Sequence, residues 1–148
     1  MKRRIFVLLG ALFPIAVRAQ GFRSPADPSK WIAETTGGAT PEKTGIEIEM
    51  PQIAENGNAV PLHIRVSSPM TPDDHVKAIH VFAERNPRPR VATFHLGPDA
   101  GRADVTTRVR LGGTQDVTVL AELSGGRWRV AAQSVLVTTG ACLDEGSL

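Results

Sequence analysis

From Gly45 onward the chain repeats with a period of two. Ile46, Ile48 and Met50 alternate with Glu47 and Glu49; Val60, Leu62, Ile64 and Val66 alternate with Pro61, His63 and Arg65. Successive side chains of an extended strand point to opposite faces, so this pattern marks half-buried strands and argues against amphipathic helices. The same signature returns at 76–84 with Ile79, Val81 and Ala83 on one face, and at 91–96 with Phe94 and Leu96 inward. It recurs at 103–111 with Val105, Val109 and Leu111, at Val117, Val119, Ala121 and Leu123, and in a closing run at 128–138.

Turn chemistry separates these runs. Asn56-Gly57 is a hairpin signal, Arg85 to Arg90 is a charged Pro-rich turn, and Pro98 to Gly101, Gly112-Gly113 and Ser124-Gly125-Gly126 close the others. Pro51 interrupts the first strand, and Ile53-Ala54 continues it after a bulge or break. Pro61 cannot donate to a ladder and is expected near the start of an edge strand. About seven short strands with turn signals roughly every ten residues predict an all-β fold, an antiparallel β-sandwich of immunoglobulin-like type, with a closed barrel as the alternative.

Ahead of the strands, Asp27-Pro28-Ser29 reads as a helix start, with Asp27 or Ser29 as the N-cap. A short helix over 30–34 is expected to end at Gly37-Gly38 and to lay Trp31 and Ile32 on an apolar surface. The first residues are not part of the fold. Lys2-Arg3-Arg4 is a basic n-region, and Ile5 to Val17 is apolar but shorter than the roughly 20 residues a membrane helix needs. With Ala19 at a cleavage point, residues 1–19 read as a secretory signal peptide; the alternative is a membrane anchor. Arg3-Arg4 also fits a loose twin-arginine export signal, which implies a periplasmic protein. The expected organisation is a signal at 1–19, a helical segment and connector at 20–45, a β-sandwich at 46–139 and a flexible C-terminal arm at 140–148.

Removing the signal takes away Lys2, Arg3, Arg4 and Arg18, leaving 13 of the 17 basic residues against 15 acidic ones, a net charge of −2. No positive field remains to recruit nucleic acid. Cys142 is the only cysteine, so an exported chain cannot form an internal disulfide. Its thiol is either paired between molecules, reactive, or buried as a small hydrophobe. Gly140-Ala141 precede it and Asp144-Glu145 follow it without periodic apolar pattern, so an exposed thiol on a terminal arm is expected.

The remaining chemistry is sparse. The histidines are His63, His75, His80 and His95; a hairpin centred on 86–89 would set His80 opposite His95, but no third metal ligand is suggested. A blue-copper site is rejected because no His or Met follows Cys142. No Gly-x-Ser-x-Gly elbow is present, and the carboxylates of Asp144 and Glu145 disfavour a thiolate at Cys142. A thiol not activated by its own tail suits a carrier better than a self-sufficient enzyme. No cofactor, metal or catalytic residue is expected.

Glu55 to Pro61, Ser68-Pro69-Met70, His80 to Pro87 and Val91 to His95 together resemble, in the same order, the SoxY family, the sulfur carriers of bacterial thiosulfate oxidation. The resemblance runs over roughly residues 30 to 142. It implies an immunoglobulin-like sandwich that pairs with a SoxZ-like subunit and carries sulfur intermediates covalently on a cysteine near its end, here Cys142. It further implies as partners a c-type cytochrome that loads the thiol, and a hydrolase and a dehydrogenase that process the adduct. The family tail is Gly-Gly-Cys-Gly-Gly; here Gly140 matches the first glycine, and Ala141, Leu143 and Asp144 replace the others. A non-catalytic interaction module, with a cysteine that is dispensable or forms an intermolecular disulfide, is the alternative; an autonomous thiol enzyme is a third. Phe82, Trp31 and Trp128 are candidate partner anchors, or else belong to the protein's own core.

Overall fold

A computed structural model describes residues 28–140. Within them lie one helix, α1 (Pro28–Thr36), and eight strands: β1 (Ile46–Glu49), β2 (Ile53–Ala54), β3 (Val60–Val66), β4 (Val76–Ala83), β5 (Arg90–His95), β6 (Ala103–Val109), β7 (Gln115–Leu123) and β8 (Trp128–Val137). They form a three-stranded sheet in the order β1-β3-β6 and a five-stranded sheet in the order β2-β8-β7-β4-β5. The all-β sandwich expected from the alternation is therefore what the chain adopts. No described helix is long and apolar enough to cross a membrane.

The alternation explains the layers. Leu62 and Ile64 of β3, Ile79 and Val81 of β4, Val117 and Val119 of β7, and Val135 of β8 are almost fully buried and belong to one cluster between the sheets. Burying each such side chain contributes about 1.5–3 kcal/mol relative to leaving it exposed. Leu111 joins this core although β6 ends at Val109, because its backbone N–H is held by Gly57 O at 2.8 Å.

A second, smaller apolar layer lies on the outer face of the five-stranded sheet. Helix α1 lays Trp31 flat on Phe82 of β4, with centroids 6.3 Å apart and an interplanar angle of 1°. Arg90 covers the same Phe82 ring at 5.5 Å and donates to Thr35 Oγ1 of the helix at 3.1 Å. Trp128 stacks on His80 at 6.0 Å. Phe82, buried to 2 % exposure, and Trp31 thus anchor the protein's own helix. The helix begins two residues earlier than predicted and runs to Thr36; Gly37 (φ +65°) and Gly38 (φ +89°) end it as expected, with Gly38 N–H reaching Ala33 O at 3.0 Å.

Several expectations are corrected. Asn56-Gly57 is not a two-residue hairpin turn: the Asn56 side chain accepts from Asn58 N–H at 2.8 Å and caps a 3-10 turn, Gly57–Ala59. The chain uses this turn to change sheets. β1 pairs antiparallel with β3, whereas β2 crosses over and pairs parallel with β8, Ile53 opposite Leu136 and Ala54 opposite Val137. β3 is the middle strand of its sheet, not an edge, but β1 pairing stops at Glu49 opposite His63. At Pro61 only β6 is alongside, so the missing N–H is tolerated. Finally, His80 faces Thr93, and His95 faces Ala78. A bulge after Val81 and a turn closed by Ala83 N–H to Pro89 O at 2.8 Å shift the register by two from the predicted one.

Candidate functional site: the root of the cysteine arm

Cys142 and Ala141 lie outside the described residues; Gly140, the first residue of the expected arm, lies within them. The geometry therefore concerns how the sandwich anchors the chain two residues before the sulfur. β8 delivers it. Val137 N–H bonds Thr114 Oγ1 at 3.0 Å, and Thr138 N–H bonds Ala54 O at 3.0 Å, extending the parallel β2 pairing. Thr138 Oγ1 donates to Glu55 O at 2.8 Å, and Thr139 O accepts from Gly57 N–H at 2.8 Å. Three consecutive residues, 137 to 139, are thus tied to three separate loops or strands.

Gly140 passes close to the Gly112-Gly113 loop. A Cβ on Gly140 would stand 2.6 Å from Gly112 O, closer than any side chain tolerates. In sequence Gly140 is the position that matches the first glycine of the family tail; the fold supplies a physical reason for it, close backbone approach.

The loop that receives Gly140 is itself braced by two buried amides the sequence reading did not single out. Asn86 Nδ2 donates to Arg110 O at 2.7 Å, while Asn86 Oδ1 accepts from Gly112 N–H at 2.8 Å and from Gln115 Nε2 at 3.1 Å. Gln115 Nε2 also reaches Gly113 O at 3.1 Å, and its Oε1 accepts from Arg85 N–H at 2.8 Å. Asn86 and Gln115 are 9 % and 6 % exposed, so these bonds form largely out of water and rigidify the pole from which the arm departs. The one available signal was the pair Gly112-Gly113; polar residues beside turns otherwise read as solvated.

The other titratable groups lie apart from this root. On the outer face of the three-stranded sheet, His63 Nε2 contacts Asp104 Oδ1 at 2.7 Å and Nδ1 contacts Glu49 Oε2 at 3.0 Å, with Arg65 bridging Glu47 and Glu49 at 3.3 and 3.1 Å. Hydrogen bonds donated to Asp104 first, and then to Glu49, raise the His63 pKa; the His63 hydrogen bond is the main cause lowering both carboxylates. His80, half-buried between Trp128 and β5, has its pKa lowered, chiefly by desolvation and then by the Arg90 charge. His75 Nδ1 is 3.1 Å from Thr71 O, and His95 is exposed. Among the described residues no group of three or more His, Cys, Asp or Glu could hold a metal ion.

Comparison with known proteins agrees with this architecture. Residues 32–142 match the family model of the sulfur oxidation protein SoxY. The sulfur carrier protein SoxY from Chlorobium limicola f. thiosulfatophilum is similar at 33 % identity and a TM-score of 0.60, covering 75 % of this chain and 96 % of that one. Two other structures share the fold alone: the superoxide reductase (neelaredoxin) from Ignicoccus hospitalis at 15 % identity and TM-score 0.56, covering 64 % of this chain and 80 % of that one, and a Thermotoga maritima protein at 23 % and 0.54, covering 65 % and 87 %. The search of curated proteins returned no match. A family match spanning three quarters of the sequence, joined by a structural relative of the same name, establishes that this chain belongs to the SoxY family of sulfur oxidation proteins.

Proposed function

We propose that the protein is a periplasmic sulfur carrier, not an enzyme, which holds thiosulfate-derived sulfur covalently on Cys142 and presents it to partner enzymes. The observation that carries this reading is the pinned root: residues 137 to 139 are tied to the sandwich and Gly140 is seated against Gly112, two residues before the thiol in the sequence. Family membership and likeness to a protein described as a sulfur carrier support it. The basic n-region and short apolar run of residues 1–17 support export to the periplasm, with no membrane insertion once residues 1–19 are removed.

The chemistry balances as follows. The Cys142 thiolate and thiosulfate join through a new S–S bond to give a cysteine S-thiosulfonate, releasing two electrons to a c-type cytochrome. A hydrolase then adds water across the terminal S–S bond, releasing sulfate and two protons and leaving a persulfide anion; a dehydrogenase withdraws six electrons from its outer sulfur, which takes three oxygens from water with loss of six protons to become a sulfonate that hydrolysis can remove as sulfate. A SoxZ-like subunit is the expected heterodimer partner. The net charge of −2 after signal removal gives nucleic acid no role.

Intact mass after incubation with thiosulfate and the oxidising cytochrome is the test. A thiosulfonate adduct mapped to Cys142 is expected, and Cys142→Ser should abolish it. An unmodified thiol under conditions that load a glycine-tailed relative would overturn the reading. The substitution of Leu143 and Asp144 for the family glycines favours a second reading, an interaction module without transfer. In that case sulfur oxidation survives Cys142→Ser.

A further inference from the structure

β5 is an edge strand of the five-stranded sheet and β6 an edge strand of the three-stranded sheet. Between them runs a cleft of about 800 Å³. Phe94 and Val109 contribute apolar lining, and Arg88, Arg90, Arg108 and Arg110 also line it, with no acidic residue among the lining groups. Arg90 is committed to Phe82 and Thr35, whereas Arg88, Arg108 and Arg110 have no carboxylate partner among the described residues. Unpaired strand edges beside an apolar floor accept extended peptides by strand addition, and a ring of guanidiniums selects carboxylates.

One segment of the chain has that chemistry and starts beside the cleft. Gly140 packs on Gly112; Gly112 N–H is held by Asn86, and Asn86 holds Arg110 O; Asn86 and Arg110 line the cleft. Beyond Gly140 the sequence reads Ala141-Cys142-Leu143-Asp144-Glu145, one apolar residue followed by two carboxylates. Four residues in extended form reach about 13–14 Å, enough to bring Asp144 from the root onto the cleft.

We propose that the arginine-lined cleft between β5 and β6 receives the chain's own Leu143-Asp144-Glu145, docking the arm and holding Cys142 at the cleft mouth. This inference goes beyond the carrier reading and stands whether or not Cys142 takes up sulfur. It gives a use to residues that replace the family glycines: the arm is latched by charge, and a partner must displace it.

The test is the rate at which iodoacetamide, a neutral reagent, alkylates Cys142 in the intact protein, divided by the thiolate fraction from the pH profile of the same variant. Arg108→Gln with Arg110→Gln should raise that rate about tenfold at low salt, the effect of losing two ion pairs and their strand contacts. High salt should raise the wild-type rate and leave the double variant unchanged. Asp144→Arg with Glu145→Arg should release the arm in the wild-type background and re-dock it when combined with Arg108→Glu and Arg110→Glu. Circular dichroism melts check that the sheet variants fold, and the tail variants leave the sandwich untouched. An Arg108, Arg110 double variant that alkylates no faster than wild type would overturn the proposal. So would protection that grows with protein concentration, since the occupant would then be the arm of a second copy.

Discussion

Gly140 and Gly112 approach so closely that one added methyl on Gly140 would lie 2.6 Å from the Gly112 carbonyl oxygen. Neither partner can yield as a side-chain tip would, because the obstacle is backbone. Gly140→Ala should therefore push the arm root off the pole, at a cost of about 1–3 kcal/mol in denaturant unfolding. Amide exchange at Gly57, which donates to Thr139 O, should accelerate in the same variant. Unchanged stability and exchange would show that the root is not seated as described.

Gly45 carries a second steric requirement. Its φ is +74°, and an added Cβ would lie 2.6 Å from an Arg129 guanidinium nitrogen. The Arg129 guanidinium donates to Ser67 O and lies 3.9 Å from a Glu42 carboxylate oxygen, and the Glu42 backbone bridges Trp128 and Val130 at 2.9 and 2.8 Å. Gly45→Ala is expected to cost about 2–3 kcal/mol, combining left-handed strain with displacement of a packed side chain. A melt within error of wild type would refute it.

Asn86→Ala removes both ends of a buried bridge at once. Arg110 O loses its donor and Gly112 N–H its acceptor, while Gln115 Nε2 keeps only Gly113 O. Unsatisfied buried groups are more costly than the mean hydrogen bond, so a loss of about 2–4 kcal/mol is expected. Asn86→Asp keeps the acceptor and loses the donor, and should fall between the two at neutral pH.

His63 gives a pH signature whose sign is fixed. Its pKa is raised in the fold by Asp104 and Glu49, so its contribution is fully present below the unfolded value near 6.5 and is lost as pH rises through the folded value. The stability difference between wild type and His63→Gln should therefore shrink as pH rises above about 6.5. His80 has the opposite sign: its pKa is lowered, so the fold loses stability as pH falls below the unfolded value. In His63→Gln the His80 slope should stand unmasked. A pH-independent difference would remove His63 from the account. Glu49 and Asp104, both lowered, contribute stability that is present above about pH 4 and lost in acid.

The sandwich was legible because its strands carry their own instructions. Ile46 to Met50 or Val117 to Leu123 alternate regardless of what they pair with. Pairing was harder to read. Ile53-Ala54 is too short to show a period, and its partner strand lies more than eighty residues later. Asn56-Gly57 carries a hairpin dipeptide, but the Asn56 carboxamide found Asn58 N–H first and made a cap. The bulge after Val81, which separates His80 from its predicted partner, has no composition of its own. At the site, Gly140 was recognisable as a match to the family's tail glycine, whereas its reason, the Gly112 carbonyl, is a tertiary contact. Asn86 and Gln115 looked like turn polarity and proved to be an interior brace.

β8 lies between β7, antiparallel to it, and β2, parallel to it, and its last residue leads straight into the thiol-bearing segment. A partner tugging on the tip along the strand axis would load those ladders in shear, many bonds at once, instead of peeling them one by one. The domain can thus act as a mechanical mooring: force applied to the chain beyond Val137 is borne by both ladders together, without unravelling the body that holds it.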